Sequence, residues 1–198
     1  MPQSKEYGAT LARGPGIWET LKEMLPGRGR PFDWVQVEVS SRCPGRCRYC
    51  PRHVWRRDWN ARDMTLDTFQ RLWPLMRKTT RVHLQGWGEP LDHPQFFEMA
   101  ALARRAGCSV STTTSGLPMN TELAAKLVES GLDIIAFSLA GTDSESNRVR
   151  AGIAFDRVCE AVTLLQRERR RRGGATWKSI SPTCCWLRTC LPSGVCRS

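Results

Sequence analysis

The sequence predicts an α/β fold on a parallel sheet, and three observations predict it. Short apolar runs alternate with amphipathic stretches from Asp33 onward, the strand–helix pair repeats four times, and capping residues mark the helix ends. With 198 residues, 40% hydrophobic and 25% charged, the chain has the size and composition of one soluble globular domain.

The elements follow in order. Residues 1–30 are rich in Gly, Pro and charge, with one short helical stretch from Ile17 to Leu25, and read as a leader. Trp34 to Ser40 (WVQVEVS) alternates with period two, as a strand does. Thr65 is placed as an N-cap, with Asp67 in the first turn and Leu66, Phe69, Trp73 and Met76 along one face. Pro74 inside that stretch predicts a kink. Val82 to Gly86 is the second strand. The next helix has Pro94 near its start, carries Phe96, Met99, Ala100 and Ala103 on one face, and is stopped by Gly107 at C′. Ser109 to Thr114 is the third strand, and Asn120 caps a helix running to Gly131. Asp133 to Leu139 (DIIAFSL) is the fourth strand. Asp156 is read as the cap of the last helix, with Val158, Ala161, Val162 and Leu165 inward. Four such units imply a parallel sheet, either doubly wound or part of a barrel, with functional residues where strands end and helices have not begun.

After Arg172 the character changes. Residues 173–198 contain no acidic residue, no helical period and no strand alternation, so no fifth unit is expected there. The simplest reading is a truncated or frame-shifted end on a four-unit fragment. Its open sheet edge predicts association with other chains.

The net charge is +11, and the arginines are clustered. Arg42, Arg46, Arg48, Arg52, Arg56, Arg57 and Arg62 crowd one segment, and Arg167 with residues 169–172 form another. A nucleic-acid partner is one reading of such clusters. No nucleic-acid-binding motif accompanies them, so a solvated helix end and a basic rim around an anionic ligand are the favoured reading. Residues 1–15 hold no continuous apolar stretch, and nothing approaches the roughly 18 apolar residues of a membrane span. Together these predict a cytoplasmic protein with no membrane partner. In that reducing compartment nine cysteines are expected as metal ligands or small buried hydrophobes rather than disulfides, Cys108 and Cys159 among the latter.

The cysteine distribution carries the chemistry. Cys43-Pro-Gly-Arg-Cys47-Arg-Tyr-Cys50 follows the first strand directly. Three thiolates this close converge on one centre only from an irregular loop, which Pro44 and Gly45 favour. An iron–sulfur cluster with one open iron is one outcome. Structural zinc with His53 as fourth ligand is a second, and three unrelated buried thiols are a third, which the tight spacing disfavours. The tail cysteines Cys184, Cys185, Cys190 and Cys196 are candidates for zinc or a second cluster.

The pattern Cys-x3-Cys-x-aromatic-Cys after a first strand, with Tyr49 in the aromatic place, resembles the radical S-adenosylmethionine (radical SAM) signature. Gln85-Gly86-Trp87-Gly88-Glu89-Pro90 is similar to the family's Gly-Gly-Glu element. Thr112-Thr113-Thr114-Ser115-Gly116 is similar to its Thr-Asn-Gly. Phe137-Ser138-Leu139-Ala140-Gly141, with Asn147 to Gly152 after it, resembles elements of the peptide-modifying subgroup with SPASM-like extensions. The resemblance covers about residues 34–170. Trp87, Ser115 and Ala140 depart from the family's residues at their positions.

The resemblance implies a partial TIM-type barrel of six strand–helix units, of which about four are present. The layout would be 1–30 leader, 31–172 core and 173–198 Cys-containing tail. A [4Fe–4S] cluster would sit on Cys43, Cys47 and Cys50, with S-adenosyl-L-methionine on its open iron. One electron from a donor such as flavodoxin or ferredoxin would release a 5′-deoxyadenosyl radical, which abstracts hydrogen from a peptide, protein or small molecule. Tyr49 would lie against the adenine, and Gly88 and Glu89 would hold the methionine ammonium. Ser138 and Arg150 would serve the ribose and carboxylate side. No residue beyond the cluster ligands is assigned a catalytic role. Each has a plainer alternative: Tyr49 a core aromatic, Glu89 a helix cap, Ser138 a partner for nearby backbone, Arg150 one more surface arginine. His83 and His93 are read as structural. The competing class is a non-catalytic iron–sulfur or zinc-binding module.

Overall fold

The computed structural model describes residues 29–173 and 179–181. Expectations for residues 1–28, including the helix from Ile17, and for the four tail cysteines lie outside the described residues. The chain divides at Pro31, and the unit from Phe32 onward carries everything below.

In that unit β1 (Phe32–Val37), β2 (Thr79–Leu84), β3 (Ser109–Thr114), β4 (Ile134–Phe137) and β5 (Ser179–Ser181) form one parallel sheet in sequential order. The register pairs Val37 with Leu84, Leu84 with Thr112, and Thr112 with Ile135. A doubly wound sheet would reverse its order at a switch point, and this one never does. Sequential parallel order is that of a barrel wall. The sheet thus settles the choice that periodicity left open.

The connections are α1 (Pro51–Val54), α2 (Leu66–Gln70) and α3 (Trp73–Met76) after β1, then α4 (Phe96–Arg105), α5 (Thr121–Glu129) and α6 (Phe155–Arg171) after the next three strands. Thr65 and Asn120 cap their helices as expected, accepting from Thr68 N and Leu123 N. Gly107 takes φ +85 just past α4, the conformation that favours glycine.

Four expectations are corrected. Pro74 does not kink one helix but separates two: it sits in the first turn of α3, where its missing N–H costs nothing. Asp156 lies in the first turn of α6, whose cap is Ala154, so it complements the helix dipole without capping. The stretch after Arg172 does contain a strand, β5, pairing Ile134 to Ser179 and Ala136 to Ser181. Three residues suffice there, because backbone pairing along an open edge asks little of the side chains. Cys159 is half-buried on α6 and disulfide-bonded, whereas Cys108 is a buried thiol that donates toward Met76 O and Thr79 O.

One sheet face carries Val82, Leu84, Val110, Ile135 and Phe137 into a core with Phe96 and Met99 of α4, Leu127 of α5, and Val158 and Leu165 of α6. Each fully buried large side chain contributes about 1.5–3 kcal/mol of transfer free energy. The opposite face is polar. It carries Trp34, Gln36, His83, Ser111 and Thr113, half-buried or exposed except for Thr113.

Candidate active site

The loop after β1 is irregular, as Pro44 and Gly45 suggest. Arg46 donates its backbone N–H to Ala151 O (2.7 Å) and Arg48 to Val149 O (2.8 Å), so the loop is laced to the turn that follows β4. Gly45 is buried against Ile153, where a Cβ would come within 2.7 Å of Cδ1. Cys50 caps α1 through its backbone carbonyl, and its thiol makes no capping bond. Cys43, Cys47 and Cys50 are all free and half-buried. Burial pushes the Cys43 thiol above its ordinary range. The Gly45 N–H and the Arg52 charge oppose that rise, and the Glu89 carboxylate and Cys47 add to it. Among the described residues no three His, Cys, Asp or Glu side chains close on one point as a single ion requires. A four-iron cluster asks something different, since each thiolate binds its own iron.

The loop after β2 approaches from the other side. Glu89 N donates to Arg42 O at 2.6 Å, and Gly88 makes this approach possible. A Cβ on Gly88 would lie 2.1 Å from Ser40 O and 2.6 Å from Arg42 O. Gly86 makes room for Glu38, whose Oε1 accepts from Trp87 N at 2.5 Å. Trp87 is 55% exposed, so its ring stands clear of this approach.

Glu89 is 2% exposed and accepts four hydrogen bonds. Leu91 N (3.2 Å) and Thr114 Oγ1 (2.8 Å) reach Oε1, while Ser115 N (2.7 Å) and Ser115 Oγ (2.5 Å) reach Oε2. It does cap the 3-10 turn Pro90–Asp92, so the plainer reading holds as well. Burial pushes its carboxyl up, and the Ser115, Thr114 and Leu91 bonds pull it back.

Arg150 is no surface arginine: it is 5% exposed, and its Nε and Nη1 have no hydrogen-bond partner. Its turn is stapled by Asn147, which accepts from Ala140 N (3.0 Å) and donates to Ile153 O (2.9 Å). Such a buried, unsatisfied guanidinium calls for an anion. The carboxylate of an amino-acid ligand fits that demand. Tyr49 is 59% exposed and so is not a core aromatic. Ser138 is half-buried at the end of β4, its N–H donating to Thr114 O (2.9 Å).

His93 is structural as expected, with Nε2 on Met64 O (2.8 Å) and Nδ1 on Gln95 N (2.9 Å). His83 is more involved. It stacks on Trp34 and bonds Ser111 (2.7 Å), Gln85 (3.0 Å) and Thr113 (3.1 Å) on the polar sheet face. Burial lowers its pKa and the Gln85 bond partly restores it. Sequence reasoning missed this cluster, Glu38 and the Glu89 donors on β3. The donors alone had a signal, in the Thr114-Ser115 strand end.

The Radical SAM superfamily model matches residues 37–177. The chain belongs to that superfamily, a family of enzymes that use a [4Fe–4S] cluster and S-adenosylmethionine. It is 28% identical over 137 residues to the tungsten-containing aldehyde ferredoxin oxidoreductase cofactor-modifying protein of Pyrococcus furiosus, covering 65% of this chain and 38% of that one. It is 30% identical over 131 residues to the PqqA peptide cyclase of Streptomyces rochei, covering 64% and 35%. The chain therefore spans little more than a third of either relative. Among solved structures, Streptococcus suis SuiB bound to S-adenosylmethionine matches with TM-score 0.58 at 17% identity, over 77% of this chain and 35% of that one. Methylornithine synthase (PylB) matches with TM-score 0.56 at 18% identity, over 69% and 42%. Both likenesses are of fold, and both agree with a partial barrel.

Proposed function

We propose that the strand ends hold a [4Fe–4S] cluster on Cys43, Cys47 and Cys50 with S-adenosylmethionine beside it, and that the whole protein acts on a peptide. The observation that carries this is the lacing of the cysteine loop to the turn that bears the unsatisfied Arg150. When bound, the cofactor pair supplies one-electron carbon–sulfur cleavage and hydrogen-atom abstraction. The chain's own residues bind and orient. Glu89 receives the ligand's ammonium, a charge-assisted contact. Its lone pairs are already filled, so the Ser115 hydroxyl turns aside while the Ser115 N–H keeps Oε2 fixed. Arg150 donates Nε and Nη1 to the ligand's carboxylate. Tyr49 offers an exposed ring to the adenine, Gly88 keeps the path clear of side chain, and Ser138 faces the ribose.

The peptide class rests on the PqqA peptide cyclase relative. An electron donor of the flavodoxin or ferredoxin class and a cytoplasmic location belong to the same reading. No helix among the described residues is long and apolar enough to cross a membrane. Residues 31–172 form the core in this reading, between leader 1–30 and a tail 173–198 whose β5 extends the sheet.

Anaerobic reconstitution tests it. About four iron and about four sulfide per chain are expected, and each of Cys43→Ala, Cys47→Ala and Cys50→Ala abolishes them. Stoichiometric zinc without visible absorption would instead support a zinc-binding module.

A further inference from the structure

Arg52 occupies the second position of α1, two residues after Cys50. It is half-buried. One guanidinium nitrogen, Nη2, donates to Gly45 O inside the cysteine loop. Its Nε is buried with no hydrogen-bond partner, and no carboxylate pairs with Arg52 among the described residues. A cationic N–H left unsatisfied in the interior is costly unless a partner compensates it. The chain keeps that cation against the loop that carries Cys43 and Cys47, two residues after Cys50.

We infer that Arg52 is the positioning and potential-setting residue of the cluster loop. This rests on the proposed [4Fe–4S] reading. Its bond to Gly45 O folds the Cys43–Cys47 turn against α1. Its charge compensates the anionic thiolate-ligated centre, which is the missing partner of the buried Nε. Reduction adds one negative charge to that centre. A cation held in a low-dielectric position favours the reduced form over the oxidised one, and so raises the potential. The exposed Arg56, a few residues further on, cannot do this, because water and salt screen it.

The test is a redox titration of the reconstituted protein, followed by the electron paramagnetic resonance signal of the reduced cluster. Wild-type loading tests the underlying reading; the variants test Arg52. At a fixed potential Arg52→Gln lowers the reduced-to-oxidised ratio at least about tenfold, 59 mV for a one-electron couple. Arg52→Lys stays within about threefold of wild type, and Arg56→Gln does not move. Should Arg52→Gln fail to load while Arg52→Lys loads, the requirement for charge stands on loading instead. The inference is overturned if Arg52→Gln loads with unchanged potential, if Arg56→Gln shifts it equally, or if neither Arg52 variant loads while both remain folded.

Discussion

Arg46 donates its backbone N–H to Ala151 O at 2.7 Å, which joins the loop of the three cysteines to the turn that carries Arg150. The three cysteines and the unsatisfied guanidinium therefore belong to one hydrogen-bonded unit. Its far end is pinned by the 2% exposed Asn147.

Asn147→Ala removes the acceptor for Ala140 N and the donor to Ile153 O together. It should cost on the order of 2 kcal/mol in denaturant unfolding. It should also speed hydrogen exchange at the amides of Arg46 and Arg48, whose acceptors lie on the released turn. Unchanged protection at those two amides would show that the loop and the turn are not coupled.

Two glycines in one loop should respond very differently to alanine. Gly88→Ala drives a methyl into the backbone carbonyls of Ser40 and Arg42, which cannot yield without parting the two loops. A loss on the order of 3 kcal/mol is expected, with loss of cluster loading. Gly86→Ala meets only the Glu38 side chain, which can swing away at a cost of about 1 kcal/mol. Equal thermal midpoints for the two variants would contradict the close approach.

Glu89→Ala strands four donors in the interior and should cost about 3 kcal/mol, whereas Thr114→Val removes one donor and should cost about 1 kcal/mol. Chemical denaturation of both variants checks the ratio. A Glu89→Ala variant as stable as Thr114→Val would mean that water replaces the carboxylate.

Much of this was legible in the sequence. The third strand, the caps Thr65 and Asn120 and the inward residues of α4 and α6 follow from period and local chemistry, which the core then reinforces. The cysteine spacing implied an irregular loop after the first strand, and Cys43, Cys47 and Cys50 lie in one. What stayed hidden depends on contacts between distant segments. Glu38 and Trp87 are 49 residues apart, and no local preference records that Gly86 exists to admit a carboxylate. Arg52 looked like one more member of a basic run until its bond to Gly45 O set it apart. Ser40 looked like the end of a strand, but β1 stops at Val37 and Ser40 instead bridges to Asp63.

His83 gives the site's surroundings a pH dependence. Burial lowers its folded pKa below the ordinary histidine value of about 6.5, with the Gln85 bond opposing. The unfolded chain therefore takes up a proton before the folded one does. Stability is whole above about pH 6.5 and falls as the pH drops from there through the folded value. His83→Gln should remove that part of the decline, seen as a flatter plot of thermal midpoint against pH. A variant with the same slope as wild type would assign the decline to other groups.

The central claim is that the cysteine loop and the strand ends together hold S-adenosylmethionine at a cluster. It is tested most directly by the electron paramagnetic resonance spectrum of the reduced, reconstituted protein with and without S-adenosylmethionine. The account predicts that the ligand changes the spectrum, that Glu89→Ala and Arg150→Gln each raise the concentration needed, and that Trp55→Ala, exposed beyond α1, leaves it unchanged. A loaded cluster whose spectrum does not respond to S-adenosylmethionine at any concentration would contradict it.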